Sequence, residues 1–453
     1  MIDRRRLAAL VALSAAMSLA LSGLALAQDE AMAPDESVSG NVIFWNGYGA
    51  DGDEITTFRN EVLPAFQELY PNVSVETQEI PYNDLRQKLI TGLAGGVLPD
   101  VLRADIIWVP EFADQEVLLA LDEEMPDFDE LAAAVFPGPL STNKWGDHYY
   151  GLPLDTNTRI IFSNDAVLEA AGISEVPATI EDFEAMLQTV AETLGEGTYG
   201  YAEGGTGAWS VLPWIWTMGG AVTDADLTTA SGYLNGEGTV AAVTMLKKWL
   251  DEGWMSPSIL GGGTNTSDQF GNGQTATILE GPWMPGIFSN QFPELGFSFT
   301  PVPAGPGGSA SVVGGEDIVV FNTTENKDAA LAFVRHMLSE ETQLAMGKVG
   351  QMPVLSSLVG HADLPGFFPT FMEQLETGNA RTPVPSWPKI DEAISNGVLK
   401  ALRGDAEIQA ALDEAAAIVD GLIAESSYPT SLQSEMGMSR RFEMNQGPRP
   451  ELP

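Results

Sequence analysis

Tryptophans and small polar residues, not nucleophiles, dominate the chemistry open to this chain. The segment VIFWNGYGADGDE, residues 42–54, closes a short apolar run with Trp45, Asn46 and Tyr48. It also sets Gly47, Gly49 and Gly52 at the G-x-G-x-x-G spacing of a dinucleotide-binding turn. Such a turn needs the next helix N-terminus open to a phosphate. Here Asp51, Asp53 and Glu54 crowd that end. They repel phosphate and accept hydrogen bonds from hydroxyl groups. The segment is therefore read as a strand end at the carboxyl edge of a parallel sheet, where α/β proteins place ligands.

The chain holds ten tryptophans and three histidines. Trp209, Trp214 and Trp216 lie in AWSVLPWIW; Trp45, Trp108, Trp283 and Trp387 are dispersed. An indole face covers the C–H face of a sugar, and Asp, Asn or Glu accepts from its hydroxyl rim. Trp283 follows Gly281-Pro282 at a strand end and is read as a site residue. Trp249 and Trp254, on or just after a helix, are read as packing. No G-x-S-x-G, H-E-x-x-H or phosphate-loop motif is present, and His148, His336 and His361 are scattered. A glycosidase-like carboxylate pair stays open, although nothing singles one out. DGDE and DFDE lack the spacing of a helix-loop-helix calcium site, so neither a metal nor a cofactor is expected.

The elements that must position these residues follow from periodicity. NVIFWN reads as a buried strand. Ile55, Phe58, Val62, Phe66 and Leu69 form a helix face that Pro64 should kink or split. NVSVETQEI alternates as a strand, Leu85, Leu89 and Leu93 mark a helix stopped at Gly95-Gly96, and PDVLRADIIWV is strand-like. This order begins a mainly parallel α/β sheet. A second α/β region follows. Thr179 and Asp182 make a capping-box pattern before one amphipathic helix, and Gly253 ends another. QTATILEGPW is a strand ending at a turn, DIVVFNTTENKDAALAFVRHMLS is strand-turn-helix, and residues 389–425 are two helices broken at Gly404.

Composition bounds the setting. Arg4–Arg6, an apolar run and the Ala25-x-Ala27 site predict a signal peptide over 1–27, hence export to the periplasm or outside the cell. Leu24 stands where a lipoprotein would need cysteine, and the chain has no cysteine at all. Residues 28–39 read as a flexible lead-in and 426–453 as a disordered tail. Without residues 1–27, 18 Lys and Arg face 62 Asp and Glu, a net charge of -44. That surface repels nucleic acid and anionic lipid, so no nucleic-acid partner is expected.

Five blocks in order carry a family resemblance. They are LITGLAGGVLPDV, YGLPLDTNTRIIFSNDAVLEAAGI, FGNGQTATILEGPW, GGEDIVVFNTTENKDAALAFVRHMLSEETQ and PSWPKIDEAISNGVLKALRGD. The third is similar to an F-x-x-G-x-x-A-x-x-x-x-G-P-W pattern. Over roughly residues 40–425 the chain resembles the extracellular solute-binding proteins of ABC importers, in the carbohydrate-binding group that includes maltose-binding protein.

The resemblance implies an α/β, two-lobed, type II periplasmic-binding-protein fold whose lobes are joined by crossing hinge segments. It places lobe 1 at 40–154 plus 306–355 and lobe 2 at 155–305 plus 356–425. It implies a monomer, a sugar ligand, a membrane permease partner and no catalysis. The residues it assigns to the ligand are Trp45, Asn46, Tyr48, Asp105, Asn157, Trp209, Trp283, Gly314, Gly315, Glu316 and Trp387. Asn157 falls where the maltose binder has a carboxylate, so sugar hydroxyls are read differently here. A polyamine ligand, a glycerol phosphate held by Arg103 and Arg159, and a secreted glycosidase are the competing readings.

Overall fold

The computed structural model describes residues 34–49 and 52–425. The signal peptide, residues 28–33 of the lead-in and the tail lie outside the described residues. Twelve strands, in chain order, carry the frame: β1 (Gly40–Asn46), β2 (Val73–Glu79), β3 (Val101–Asp105), β4 (Lys144–Trp145), β5 (His148–Tyr149), β6 (Gly151–Thr158), β7 (Ile160–Asn164), β8 (Tyr199–Ala202), β9 (Thr275–Glu280), β10 (Phe297–Thr300), β11 (Ser311–Val320) and β12 (Gly378–Ala380).

Two sheets divide the molecule into lobes. The first runs β12-β11-β3-β1-β2, with β6 on the other side of β11; β1 is parallel to β2 and β3. The second runs β10-β7-β9-β8. Runs such as VLRAD and IIFSN are buried at every position, as expected of strands covered on both faces. The first lobe's core gathers Phe44, Phe58, Phe66 and Phe333, with ring centroids 5.1–6.5 Å apart. The second lobe packs Trp249 against Phe183, Tyr201 and Trp214 at 5.2–6.0 Å. Trp249 is fully buried there, which is the packing role its helical position suggested.

The chain crosses between lobes at Arg159, where β6 passes into β7, and again over residues 301–310, between β10 and β11. A third segment runs back past the hinge, where Thr156 N–H donates to the Met352 carbonyl at 3.1 Å. The boundary expected after Leu154 lies inside β6, which stays paired with β11 through Thr158. Residues 378–380 also join the first sheet, through β12.

Local chemistry explains two details. Thr179 accepts the Asp182 N–H at 3.3 Å and caps the helix Ile180–Leu194. Pro64 neither splits nor ends its helix, because Phe58–Val62 widens into a π-helical turn before Leu63–Leu69. The Leu63 N–H reaches the Phe58 carbonyl five residues back. A proline ring clashes with the carbonyl four residues earlier in an α-helix, and a π turn relieves that contact. Residues 34–39 are tied down at two points: Asp35 N–H donates to the Leu69 carbonyl at 2.7 Å, and Asn72 donates to Glu36 at 2.8 Å.

Gly315, at the centre of β11, has φ of +142°. A Cβ there would sit 2.4 Å from the Asp155 carbonyl oxygen. Gly315→Ala is expected to lower the unfolding free energy by about 1–3 kcal/mol. Denaturant unfolding checks this, and unchanged stability would show that β11 and β6 can move apart.

Candidate functional site

The site grows from strand register. On β11, Glu316 stands opposite Asp105 of β3 on one side and Asp155 of β6 on the other. Three carboxyl groups therefore lie in a row across neighbouring strands, at the carboxyl end of β3. Like charges at paired positions repel, so the row needs counter-charge. Arg103, two residues before Asp105, supplies part of it. Its Nη2 donates to Asp155 at 3.0 Å, to Glu316 at 2.8 Å and to Gln351 Oε1 at 3.1 Å. Gln351 in turn donates to Glu54 at 2.7 Å. The Tyr48 ring lies 4.7 Å from the Arg103 guanidinium carbon.

Asp105 has its own partners. It accepts from Arg381 Nη2 and from the Ile107 N–H, each at 3.0 Å, and from the Tyr82 hydroxyl. Tyr82 stacks on Trp108 with centroids 5.7 Å apart. Arg381 also faces the Trp209 ring at 5.2 Å. Trp209 also stacks against Trp283, at 6.3 Å and 28°. Trp209 is fixed further by Arg159, which donates to its carbonyl at 2.9 Å and pairs with Glu203 at 3.0 Å. The preceding residue, Ala208, donates its N–H to Asp391.

Glycine is required where β11 passes this aromatic pair. A Cβ on Gly314 would lie 2.2 Å from Asn157 Oδ1 and 2.7 Å from the Trp209 ring. Gly314 and Asn157 are paired, and Asn157 Oδ1 is buried without a hydrogen-bond partner. The lobes also touch across the cleft, where Asn290 donates to Asp53 at 3.4 Å.

Burial shapes the electrostatics. It is the largest cause holding the carboxyls of Glu54 and Asp155 above their ordinary range, and that of Glu316 well above it, against the opposing pull of Arg103. Burial works to lower the guanidinium pKa of Arg103, but Glu316, Asp155 and the other anionic neighbours together outweigh it and raise it. Glu280, next to the Gly281-Pro282-Trp283 turn, is pushed up to about 7 by burial, offset by Arg159 and reinforced by Glu203. Among the described residues, no group of three or more His, Cys, Asp or Glu is arranged to hold a metal ion.

Of the residues singled out from sequence, the structure brings together Tyr48, Asp105, Asn157, Trp209, Trp283, Gly314, Gly315 and Glu316. Three others are packed away. Trp45 is buried with Lys88 over its ring at 4.3 Å. Asn46 is wholly buried, donating to Thr77 at 3.0 Å and accepting the Tyr48 N–H at 3.2 Å, so it shapes the loop. Trp387 is 0% exposed and opens the helix Trp387–Arg403, one turn before Asp391. Sequence reading missed Tyr82, Asp155, Gln351 and Arg381. A charged residue inside a buried strand, as in GLPLDTNT, was the available signal for Asp155; Arg381 had none.

Glu280 gives a pH test. Its folded pKa lies above the ordinary 4.5, so its share of stability is full below that value and is lost as pH rises through about 7. Wild-type stability is expected to fall across that window relative to Glu280→Gln, by on the order of 3 kcal/mol. Unfolding at a series of pH values checks the difference, and parallel curves would contradict it.

This fold and site have counterparts. A putative binding protein of Brucella abortus is 24% identical over 375 residues, covering 80% of this chain and 89% of that protein. A maltotriose-binding protein of Pyrococcus abyssi is 25% identical over 340 residues, covering 73% of this chain and 70% of that one. Among solved structures, an ABC transporter solute-binding protein of Thermotoga lettingae, bound with α-D-tagatose, superposes with a TM-score of 0.77. It is 24% identical, with 85% of this chain and 100% of that chain covered. The family model of bacterial extracellular solute-binding proteins matches residues 49–344, and the chain belongs to that family, whose members bind solutes without catalysis.

Proposed function

We propose that this protein captures a mono- or oligosaccharide in the cleft between its lobes and delivers it to the membrane permease of an ABC importer. The observation that carries the reading is the stacked pair Trp209–Trp283 beside Asn157, Asp105 and Glu316, at the strands where the lobes join. Flat indoles suit a sugar's C–H face, and the amide and carboxyl oxygens suit its hydroxyl rim. The named ligands of relatives, maltotriose and α-D-tagatose, are consistent with that class. A signal peptide over residues 1–27 would deliver the chain outside the cytoplasm, where such capture is needed.

The mechanism is closure. A solute touching both lobes binds the shut form better than the open one. Moving that equilibrium from 1:99 to 99:1 needs about 5.5 kcal/mol of differential affinity. The shut form then docks on the permease, and no bond in the solute changes. A glycerol-phosphate ligand fits less well, because Arg103, Arg159 and Arg381 are each already paired with a carboxylate.

A thermal-shift screen over sugars and polyols finds the ligand, since saturation at 100 times the dissociation constant adds about 2.7 kcal/mol of stability. Trp283→Ala is then expected to weaken binding at least tenfold, about 1.4 kcal/mol. Trp249→Ala, in the second lobe's core, should lower stability but leave the affinity of the folded fraction unchanged. Calorimetry on both variants decides it; an unaltered affinity in Trp283→Ala would remove that indole from the site.

A further inference from the structure

The helix Ala208–Thr217 carries Trp209 in its first turn but cannot hold that turn alone. Its N-cap, Gly207, has no side chain to accept a backbone N–H. Pro213, inside the helix, has no N–H to give to the carbonyl four residues back, which is that of Trp209. The sequence GAWSVLP, residues 207–213, therefore leaves a donor at Ala208 and an acceptor at Trp209 without helical partners. Both lie at the residue whose indole faces the cleft or next to it.

Distant parts of the chain answer both. Asp391 accepts the Ala208 N–H at 2.6 Å, standing in for the cap that Gly207 lacks. A carboxylate there also meets the helix dipole favourably. Burial raises the Asp391 carboxyl above its ordinary range, against the opposing pull of the Ala208 N–H and Arg381. Arg159 Nη1 donates to the Trp209 carbonyl at 2.9 Å, in place of the missing proline N–H. Arg159 is itself fixed by Glu203, which also accepts from the Ser210 hydroxyl at 3.0 Å. Asp391 lies on the helix Trp387–Arg403, and one turn further on the Ser395 carbonyl accepts from the Thr206 hydroxyl at 3.0 Å. Trp387, buried in the core at the start of that helix, anchors it one turn before Asp391.

We propose that Asp391 and Arg159 are positioning residues for the Trp209 indole: Asp391 caps its helix in place of Gly207, and Arg159 takes the carbonyl that Pro213 leaves free. Neither needs to touch solute. Arg159 stands where β6 passes into β7, so its bond ties the indole to a hinge crossing. Trp387, at the position that the family resemblance gives to the ligand, serves the site here through Asp391. The consequence for solute binding rests on the reading that Trp209 meets a sugar-like solute; the orientation of the indole does not.

The test reads the indole and the binding separately, on the full mature chain. Trp209 and Trp283, 6.3 Å apart and inclined at 28°, form a coupled chromophore, whose circular-dichroism couplet is the part of the spectrum lost in both Trp209→Ala and Trp283→Ala. In Asp391→Ala this couplet is expected to fall by about half or more, and Asp391→Asn, which keeps an acceptor for the Ala208 N–H, should largely restore it. An undiminished couplet in folded Asp391→Ala would overturn the proposal. If Asp391→Ala does not fold, Pro213→Ala decides: its new N–H competes with Arg159 for the Trp209 carbonyl, and an unaltered couplet would overturn the proposal equally. Binding is read by calorimetry with maltotriose and α-D-tagatose as probes. Affinity for a probe that binds should fall about fivefold in Asp391→Ala, and not at all when the same change is made in Trp209→Ala. An equal fall in both backgrounds would show that Asp391 acts elsewhere, and would overturn the proposal. If neither probe binds the wild type while the couplet responds as expected, capture of these sugars fails and the positioning role stands.

Discussion

The register of β11 between β3 and β6 is the constraint on which the rest of this structure depends. It fixes Glu316 between Asp105 and Asp155 and so creates a buried row of carboxyl groups. Such a row does not persist without counter-charge, and the molecule meets that need from distant parts of the chain. Arg103 comes from the first sheet, Gln351 from the third crossing segment, and Arg381 from just after β12. The hinge is therefore more than a pair of flexible connectors. It is an electrostatic junction to which the first sheet, the third crossing segment and the stretch after β12 each contribute a charged or polar group.

The same strands set the aromatic geometry. Gly314 brings the β11 backbone against Trp209, Arg381 and Arg159 both lie by that indole ring, and Trp283 stacks on it. Any shift in hinge register would move the carboxyl row and the indole pair together. Binding and closure are thereby coupled through one structural unit, without a long relay. The indoles belong to the second lobe and Tyr48 and Asp105 to the first, so a solute bridging them feels both.

Much of this was legible in the sequence. The alternation of strands and helices, the Gly-Pro-Trp turn and the Gly-Gly step on β11 were local signals, and local signals survive folding. Trp249 was readable as core because it lies on the apolar stripe of a long helix. The failures share a physical cause. Arg381 pairs with Asp105 across 276 residues, and no local pattern encodes such a partner. Trp387 matches a family position but is wholly buried in a hydrophobic core, which spacing alone does not show. The π turn before Pro64 is a compromise between a proline and a continuous apolar face, and periodicity reads only the face.

Closure on a solute is the central claim, and small-angle X-ray scattering tests it most directly. Without solute the lobes should stand apart, and saturation with the stabilising solute should shrink the radius of gyration, with the solute recovered chemically unchanged. A radius of gyration that does not respond to solute, or a solute that returns cleaved, would contradict the account.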